Sequence, residues 1–418
     1  MVTERGAGLL IGAAFTWLLG RFLGVPELYV VAGAGCALAG LSVASVWLGS
    51  ARLDAGRTVS PARIAWGGRT VVRVALRNTG RLPSGLLLVS DEIPYALADA
   101  PRFSVPGLAR RAQVDLGYEL HGAGRGRYDV GPARVRLRDP FGLAERVRRV
   151  GATAELVVYP RVERLGGGVP AAGRQGDGGA HRRTLLHAGD DFSTIREWAP
   201  GDDVRLVHWP SSAHRDRLMV RQFEQPYEPL ATLVCDTRAL VHRGAGPAST
   251  LETAVTAVAS VAGHLAAHGH RLRLALPEDR ETPPIQPLER LMDRLAMVEA
   301  SRETSLAPAL GGLAGRASGG LLVAALAPPA DGGERLGAHP DIRALLAAGR
   351  PYSVRIALVV DTGALAGPRG GQERPAALLA AALHGAGWRT ALLRPGAPMS
   401  DAWNRVAGPT AMVLGGAR

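Results

Sequence analysis

The chain has 418 residues, 47% of them hydrophobic, with 49 basic residues against 37 acidic ones and a formal charge of +12. That length exceeds one compact core and calls for two or three domains. Aromatics make up only 5%, every basic residue is Arg, and the arginines are scattered rather than gathered in a stripe, so nucleic-acid binding is not expected.

The N-terminal segment reads as membrane. Leu28–Ser50, "LYVVAGAGCALAGLSVASVWLGS", carries no charge and is long enough to cross a bilayer core of roughly 30 Å. Ahead of it, Gly6–Val25 is apolar apart from Arg21, which can snorkel to an interface. Only Pro26 and Glu27 connect the two, so residues 1–51 are expected to form a transmembrane helical hairpin. The rival is a cleaved signal peptide with Arg5 as its charged start, but a secreted product would not need the second, longer span. A hairpin puts both ends on one side. Arg5 precedes it and Arg52, Arg57 and Arg63 follow, so the positive-inside rule places the soluble domains in the cytoplasm, with Arg21 as a counter-vote. The two cysteines, Cys36 in this run and Cys235 far downstream, have no metal or redox spacing and read as small buried hydrophobes.

Residues 52–164 follow a period of two. "TVVRVALRN", "GLLLVSD", "AQVDLGYEL", "ARVRLRD" and "AELVVYP" are short alternating runs separated by Gly, Pro, Asn and Asp, the pattern of an immunoglobulin-like antiparallel sandwich. The stretches "GRGRYDVGP" (Gly124–Pro132) and "DPFGL" (Asp139–Leu143) are hairpin and turn chemistry, and their arginines are expected on a solvated face. Residues 165–181 form a Gly-rich linker that lacks the Gly-Lys-Ser/Thr of a phosphate-binding loop. From 227 to 418, continuous apolar strands alternate with amphipathic helices, which predicts a doubly wound α/β domain on a parallel sheet. In its first helix Ser249 and Glu252 make a capping-box pattern, and Leu251, Val255, Val258, Ala262 and Leu265 line one face.

Between linker and α/β domain, residues 182–226 hold the chemically richest stretch, "DDFSTIREWAPGDDVRLVHWPSSAHRDRLMVRQFE". As a polar network, Pro200-Gly201 makes a turn and Asp202 or Asp203 caps the next segment. Arg196, Glu197 and Arg205 then pair with nearby acids, and Trp198 and Trp209 anchor the segment in the core. As a docking surface, the same residues supply the Trp and Arg enriched at interface hot spots. As a hydrolase, His208 or His214 would be base, Ser211 or Ser212 nucleophile, and Asp202 or Asp203 the orienter. No elbow motif frames those serines. The network and docking readings are compatible, and both outrank catalysis.

This stretch resembles the signature of the domain of unknown function 58 family: an acid–Phe, an Arg-Glu-aromatic, a Pro-Gly-Asp-Asp, an Arg–Trp and a Leu-Met-Val strand, in that order. "GRGRYDVGP" and "DPFGL" fit as well. Pro210 and His214 depart from it, standing where the family has Lys and Arg; a position that prefers a cation suits charge better than base chemistry. The resemblance implies two spans, a β domain, the signature and a von Willebrand factor A-like domain. It also implies association with AAA+ ATPases of the MoxR type and with transglutaminase-like membrane proteins; it implies no activity. A von Willebrand factor A domain would hold a divalent cation at the sheet edge. Here Asp236 matches, Thr304 stands for the distant Thr, and Arg238 and Leu240 replace both hydroxyls. A hard cation needs several oxygens, so neither metal nor cofactor is expected, and Arg238 is expected in the cation's place, paired with Asp236. The chain thus reads as a membrane-anchored cytoplasmic adaptor that engages a protein partner, not as an enzyme.

Overall fold

The structure is a computed structural model that describes residues 2–50, 52–170, 193–199, 207–223, 229–313, 320–329, 337, 339–365 and 375–408. They divide into two compact units. The first comprises Met1–Glu163, Ala245–Pro247 and Glu289–Ala300; the second comprises Arg164–Gly244, Ala248–Leu288 and Ser301–Arg418.

The first unit opens with helices α1 (Glu4–Leu23) and α2 (Pro26–Ser50), each long and apolar enough to cross a membrane. The Thr3 hydroxyl caps α1 by accepting from the Gly6 amide at 3.2 Å, and Gly24 ends it at φ 69°, a left-handed conformation that glycine adopts without steric cost. A pair of helices has little to bury itself against. Cys36 is therefore exposed on α2, correcting the buried position expected for it, whereas Cys235 is buried as expected.

Ten strands follow: β1 (Leu53–Ser60), β2 (Arg63–Ile64), β3 (Arg69–Asn78), β4 (Leu86–Asp91), β5 (Arg102–Val105), β6 (Gln113–His121), β7 (Gly126–Val130), β8 (Ala133–Arg138), β9 (Glu145–Val150) and β10 (Ala154–Val158). They form sheets in the orders β1-β3-β6, β2-β10-β7 and β5-β4-β8-β9. Pairing is antiparallel throughout except between β2 and β10, which run parallel. Burial alternates along β3, β4 and β8, so Val72, Val74, Leu76, Leu87, Val89, Val135 and Leu137 face one core that Val46 of α2 also joins.

Not all arginines of this unit are solvated. On β1 the Arg57 side chain is buried and forms a forked ion pair with Asp91, to which the Tyr118 hydroxyl also donates. Burial, then the bond to Asp91, pushes the Tyr118 hydroxyl well above its ordinary pKa. Arg125 of "GRGRYDVGP" is half-buried and donates to the Leu295 and Val298 carbonyls at 2.9 and 2.6 Å, satisfying the C-terminal end of the helix Leu288–Ala296. Alternation tells which face a side chain takes; it does not tell which polar group will find a buried partner.

In the second unit, β11 (Ser193–Glu197), helix α3 (Trp209–Arg215) and β12 (Met219–Phe223) belong to the signature segment. Then come β13 (Leu230–Cys235), α4 (Thr250–Ala267), β14 (Arg271–Ala275), α5 (Leu288–Ala296, mostly counted with the first unit), α6 (Ala307–Leu313), β15 (Leu321–Leu326), α7 (Pro340–Gly349), β16 (Val354–Val360), α8 (Pro375–Gly385), β17 (Arg389–Leu393) and α9 (Met399–Ala407). The sheet order is β14-β13-β15-β16-β17 and every pairing is parallel. All six residues of β15 are buried, as expected for a central strand covered on both faces. On α4, Ser249 accepts from the Glu252 amide at 3.2 Å, and Leu251, Val255, Val258, Ala262 and Leu265 are buried.

Candidate functional site

In a doubly wound sheet the ligand crevice opens outside the C-terminal strand ends, where the strand order reverses. Here that point lies between β13 and β15. The chain leaving β13 places Asp236 and Arg238 there, 0% and 3% exposed. Arg238 grips both oxygens of Asp236 along one edge of its guanidinium: Nε donates to Oδ1 and Nη2 to Oδ2, each at 2.9 Å. Its third nitrogen, Nη1, donates to Asp341 of α7, itself 2% exposed, and to the Thr304 carbonyl at 3.3 Å. The remaining carboxylate capacity is used by backbone. Asp236 accepts from the Arg238 and Ala327 amides at 3.2 and 3.3 Å. Asp341 accepts from the Ser305 hydroxyl and from the Leu306 and Ala307 amides at 2.8 and 3.3 Å, where α6 begins. Burial alone would lower the guanidinium pKa, but the bonds to Asp236 and the charge of Asp341 prevail and raise it.

A divalent cation does not fit this set. Arg238 fills the space beside the Asp236 carboxylate, Leu240 is 55% exposed, and Thr304 turns its carbonyl rather than its hydroxyl to Arg238. The pairing of Arg238 with Asp236 is the one the resemblance implied. Asp341 was not expected: it is 103 residues from Arg238 and reaches it only through the crossover into α7.

Below the triad, His242 Nε2 donates to the Asp236 carbonyl at 2.7 Å, and its Nδ1 lies 3.0 Å from the Thr250 hydroxyl. Burial is the main cause that lowers its pKa, and the same cause lowers His264 and His270. The unfolded chain therefore binds the proton first. Stability from His242 is complete above its unfolded value of roughly 6.5 and is lost as pH falls from there towards the lowered folded value. We expect the wild type to lose stability as pH falls below about 6.5, and His242→Gln to lose less over the same interval. Urea unfolding at each pH checks this; parallel profiles would contradict it.

In the signature segment β11 and β12 pair antiparallel, Glu197 opposite Met219. Arg196 lies on β11, but its side chain, with Gly201, Asp202, Asp203 and Arg205, lies outside the described residues. Glu197 meets Arg217 at 3.4 Å with both side chains more than half exposed, an arrangement worth at most about 1 kcal/mol. Trp198 is half-buried, and its amide donates to the Leu218 carbonyl at 2.7 Å. Trp209 is 66% exposed and is not the core anchor expected of it. It opens α3, whose buried side chain is Ser212, tied by its hydroxyl to the His208 carbonyl at 3.0 Å and to the Met219 amide at 2.9 Å.

The structure does bring His208 and Ser211 together, Nδ1 to Oγ, at 2.7 Å. The same Nδ1 accepts from the Ser211 amide at 3.3 Å, so His208 is the N-cap of α3. Among the described residues no carboxylate orients its ring, and His214 is exposed in the last turn.

Two apolar helices, a β-rich unit and a doubly wound α/β unit with a buried ion triad in its crevice define a multi-domain protein, to which the signature segment adds the antiparallel strand pair β11–β12 and the short helix α3. Residues 194–318 match the family described as "Protein of unknown function DUF58", which bears out the resemblance carried by the signature. Over 178 residues the chain is 26% identical to the uncharacterized protein YeaD of Bacillus subtilis (strain 168), a match covering 41% of this chain and 44% of that protein. Among solved structures, a CARDB domain from Pyrococcus furiosus is 14% identical over 25% of this chain and 86% of its own, with a TM-score of 0.20. A cohesin module from Clostridium perfringens is 11% identical over 26% of this chain and 96% of its own, also at 0.20. Likeness at that score carries no inference.

Proposed function

We propose that this protein is a membrane-anchored cytoplasmic adaptor without catalytic activity, whose immunoglobulin-like β unit and von Willebrand factor A-like unit present the signature segment to a protein partner. The observation that carries the reading is the triad: where such a sheet would take a ligand, Asp236, Arg238 and Asp341 satisfy one another. A crevice closed from within leaves the surface as the means of recognition. Trp209, large, aromatic and 66% exposed at the head of α3, is the anchor a partner would bury. In support of the membrane anchor, only 17% and 22% of the two most apolar helix windows is buried, and Ile11, Phe22 and Leu41 are 71%, 88% and 68% exposed. Apolar surface of that extent is at home in lipid rather than water. The partner class is an AAA+ ATPase of the MoxR type, with a transglutaminase-like membrane protein as the second candidate. A hydrolase using Ser211 and His208 is the rival, favoured by their 2.7 Å contact.

Binding of the full chain in nanodiscs to a purified MoxR-type ATPase tests both. Loss of a hot-spot tryptophan costs about 2 kcal/mol or more, so Trp209→Ala should weaken binding by roughly 30-fold, while Ser211→Ala leaves it within about twofold. Equal binding by both variants would remove Trp209 from the interface. Labelling of Ser211 by a fluorophosphonate would establish the hydrolase instead.

A further inference from the structure

We infer that the β unit is itself seated on an anionic lipid surface, through two loops that flank the roots of the helical hairpin; this rests on the reading that α1 and α2 span a membrane. The first loop is "DPFGL". Asp139, 5% exposed, accepts from the Phe141 amide at 3.0 Å and the Ala144 amide at 2.6 Å, which closes a tight turn with Gly142 at φ 71°. That turn is fastened to the start of α1: the Thr3 hydroxyl donates to the Gly142 carbonyl at 2.6 Å and the Thr3 amide to the Leu143 carbonyl at 2.9 Å. The approach is so close that a Cβ on Gly6 would stand 2.2 Å from the Leu143 carbonyl oxygen. A turn pinned this firmly still leaves Phe141 62% exposed.

The second loop, residues 78–83, is fastened in the same way to Arg52, between α2 and β1. The Thr79 amide and hydroxyl donate to the Arg52 carbonyl at 2.7 and 2.6 Å. Asn78 braces the loop, donating to the Leu82 carbonyl and accepting from the Gly80 amide, each at 2.8 Å. Leu82 is left 61% exposed beside the exposed Arg81. Strand register puts both loops at one end of the unit, because Leu86 pairs with Arg138 while Asp91 pairs with Ala133 at the opposite end.

The ends of spanning helices lie at headgroup level, and hydrogen bonds hold both loops beside those ends. Two rigid apolar tips ringed by Arg5, Arg52, Arg81 and Arg146, the last stacked 5.3 Å over the Trp47 ring, match the acyl boundary and its anionic headgroups. The acids at this level are Glu4, Asp54, Asp139, which is 5% exposed and bonded within its own turn, and Glu145, which Arg136 faces at 3.9 Å. Arg110 and Arg111, exposed in the turn whose Ala109 and Ala112 carbonyls Asn78 reaches, bring the arginines to six.

The test uses the full chain in bilayers of phosphatidylcholine and phosphatidylglycerol, with single nitroxide labels and collisional relaxation by oxygen against a water-soluble nickel chelate. Native Cys36, exposed on α2, reports the span. Leu82→Cys and Phe141→Cys, in a Cys36→Ser background, report the loops, and Tyr95→Cys, 91% exposed beyond the far end of β4, is the aqueous reference. Labels at 82 and 141 that favour oxygen, and shift towards water in pure phosphatidylcholine, support the proposal. Labels at 82 and 141 as wet as that at 95, while Cys36 reads lipid, overturn it. Insertion equally deep in pure phosphatidylcholine overturns its anionic part. A Cys36 label in water removes the membrane reading and this proposal with it.

Discussion

Arg238→Ala is expected to destabilise the α/β unit by about 3–5 kcal/mol, the cost of breaking a buried ion pair from one side. The substitution leaves the Asp236 and Asp341 carboxylates, 0% and 2% exposed, facing one another without the guanidinium between them. Arg238→Lys should recover little, because one ammonium cannot reproduce the forked contact with Asp236 and the third bond to Asp341. Removing all three charges, with Asp236→Asn and Asp341→Asn beside Arg238→Met, should recover a large part, since the penalty lies in uncompensated charge rather than in lost contacts. Amide exchange on peptides covering β13 and β15 reads the effect within this unit. At about tenfold per 1.4 kcal/mol, protection should fall by roughly two to three and a half orders of magnitude. Magnesium should leave the wild type unchanged, where a site filled at about 100 times its dissociation constant would add about 2.7 kcal/mol. A change within about 0.5 kcal/mol for Arg238→Ala, the range of ordinary surface substitutions, would show that the triad is not structural.

Sequence made the layout legible wherever one physical rule acted locally. The alternation of β3, β4 and β8 survives because each strand has one face on the core, and the Ser249 cap survives because its partner is three residues away. The Arg238–Asp236 pair was expected only through the resemblance, which set Arg238 in the cation's place. Long-range polar contacts were not legible. Asp341 joins the triad from another helix, Arg57 meets Asp91 across 34 residues, and Arg125 meets Val298 across 173. No periodicity encodes such pairings. Trp209 departs from expectation for a further reason: composition assigns tryptophan to cores, but the helix it opens buries Ser212 through hydroxyl bonds to backbone, leaving the ring outside. The two turn-rich stretches upstream of the signature acquire physical content only in the folded chain. "DPFGL" fastens the β unit to α1, and the last glycine of "GRGRYDVGP" makes room for a guanidinium.

That glycine is the site of the second large effect. Gly131→Ala is expected to destabilise the β unit by about 4 kcal/mol or more, the sum of an L-residue held at positive φ, about 1–2 kcal/mol, and a displaced buried ion pair, about 3–5 kcal/mol. Gly131 sits at φ 97°, and a Cβ there would stand 2.0 Å from Arg57 Nη1 and 2.3 Å from its Cζ. A guanidinium at a free surface would swing aside. This one is held by Asp91, by the Ala152 carbonyl and by burial of its side chain to 3% exposure, so moving it strands Asp91, on which the Tyr118 hydroxyl also depends. Gly67→Ala separates the two contributions, because Gly67 has φ 72° with nothing within 4 Å of its Cβ and should show the backbone cost alone. A double-mutant cycle isolates the collision: in an Arg57→Ala background the penalty of Gly131→Ala should shrink towards that of Gly67→Ala. Amide exchange over β3 and β6 provides the readout. If Gly131→Ala costs no more than Gly67→Ala with Arg57 present, backbone conformation alone demands the glycine and the ion pair has no part in it.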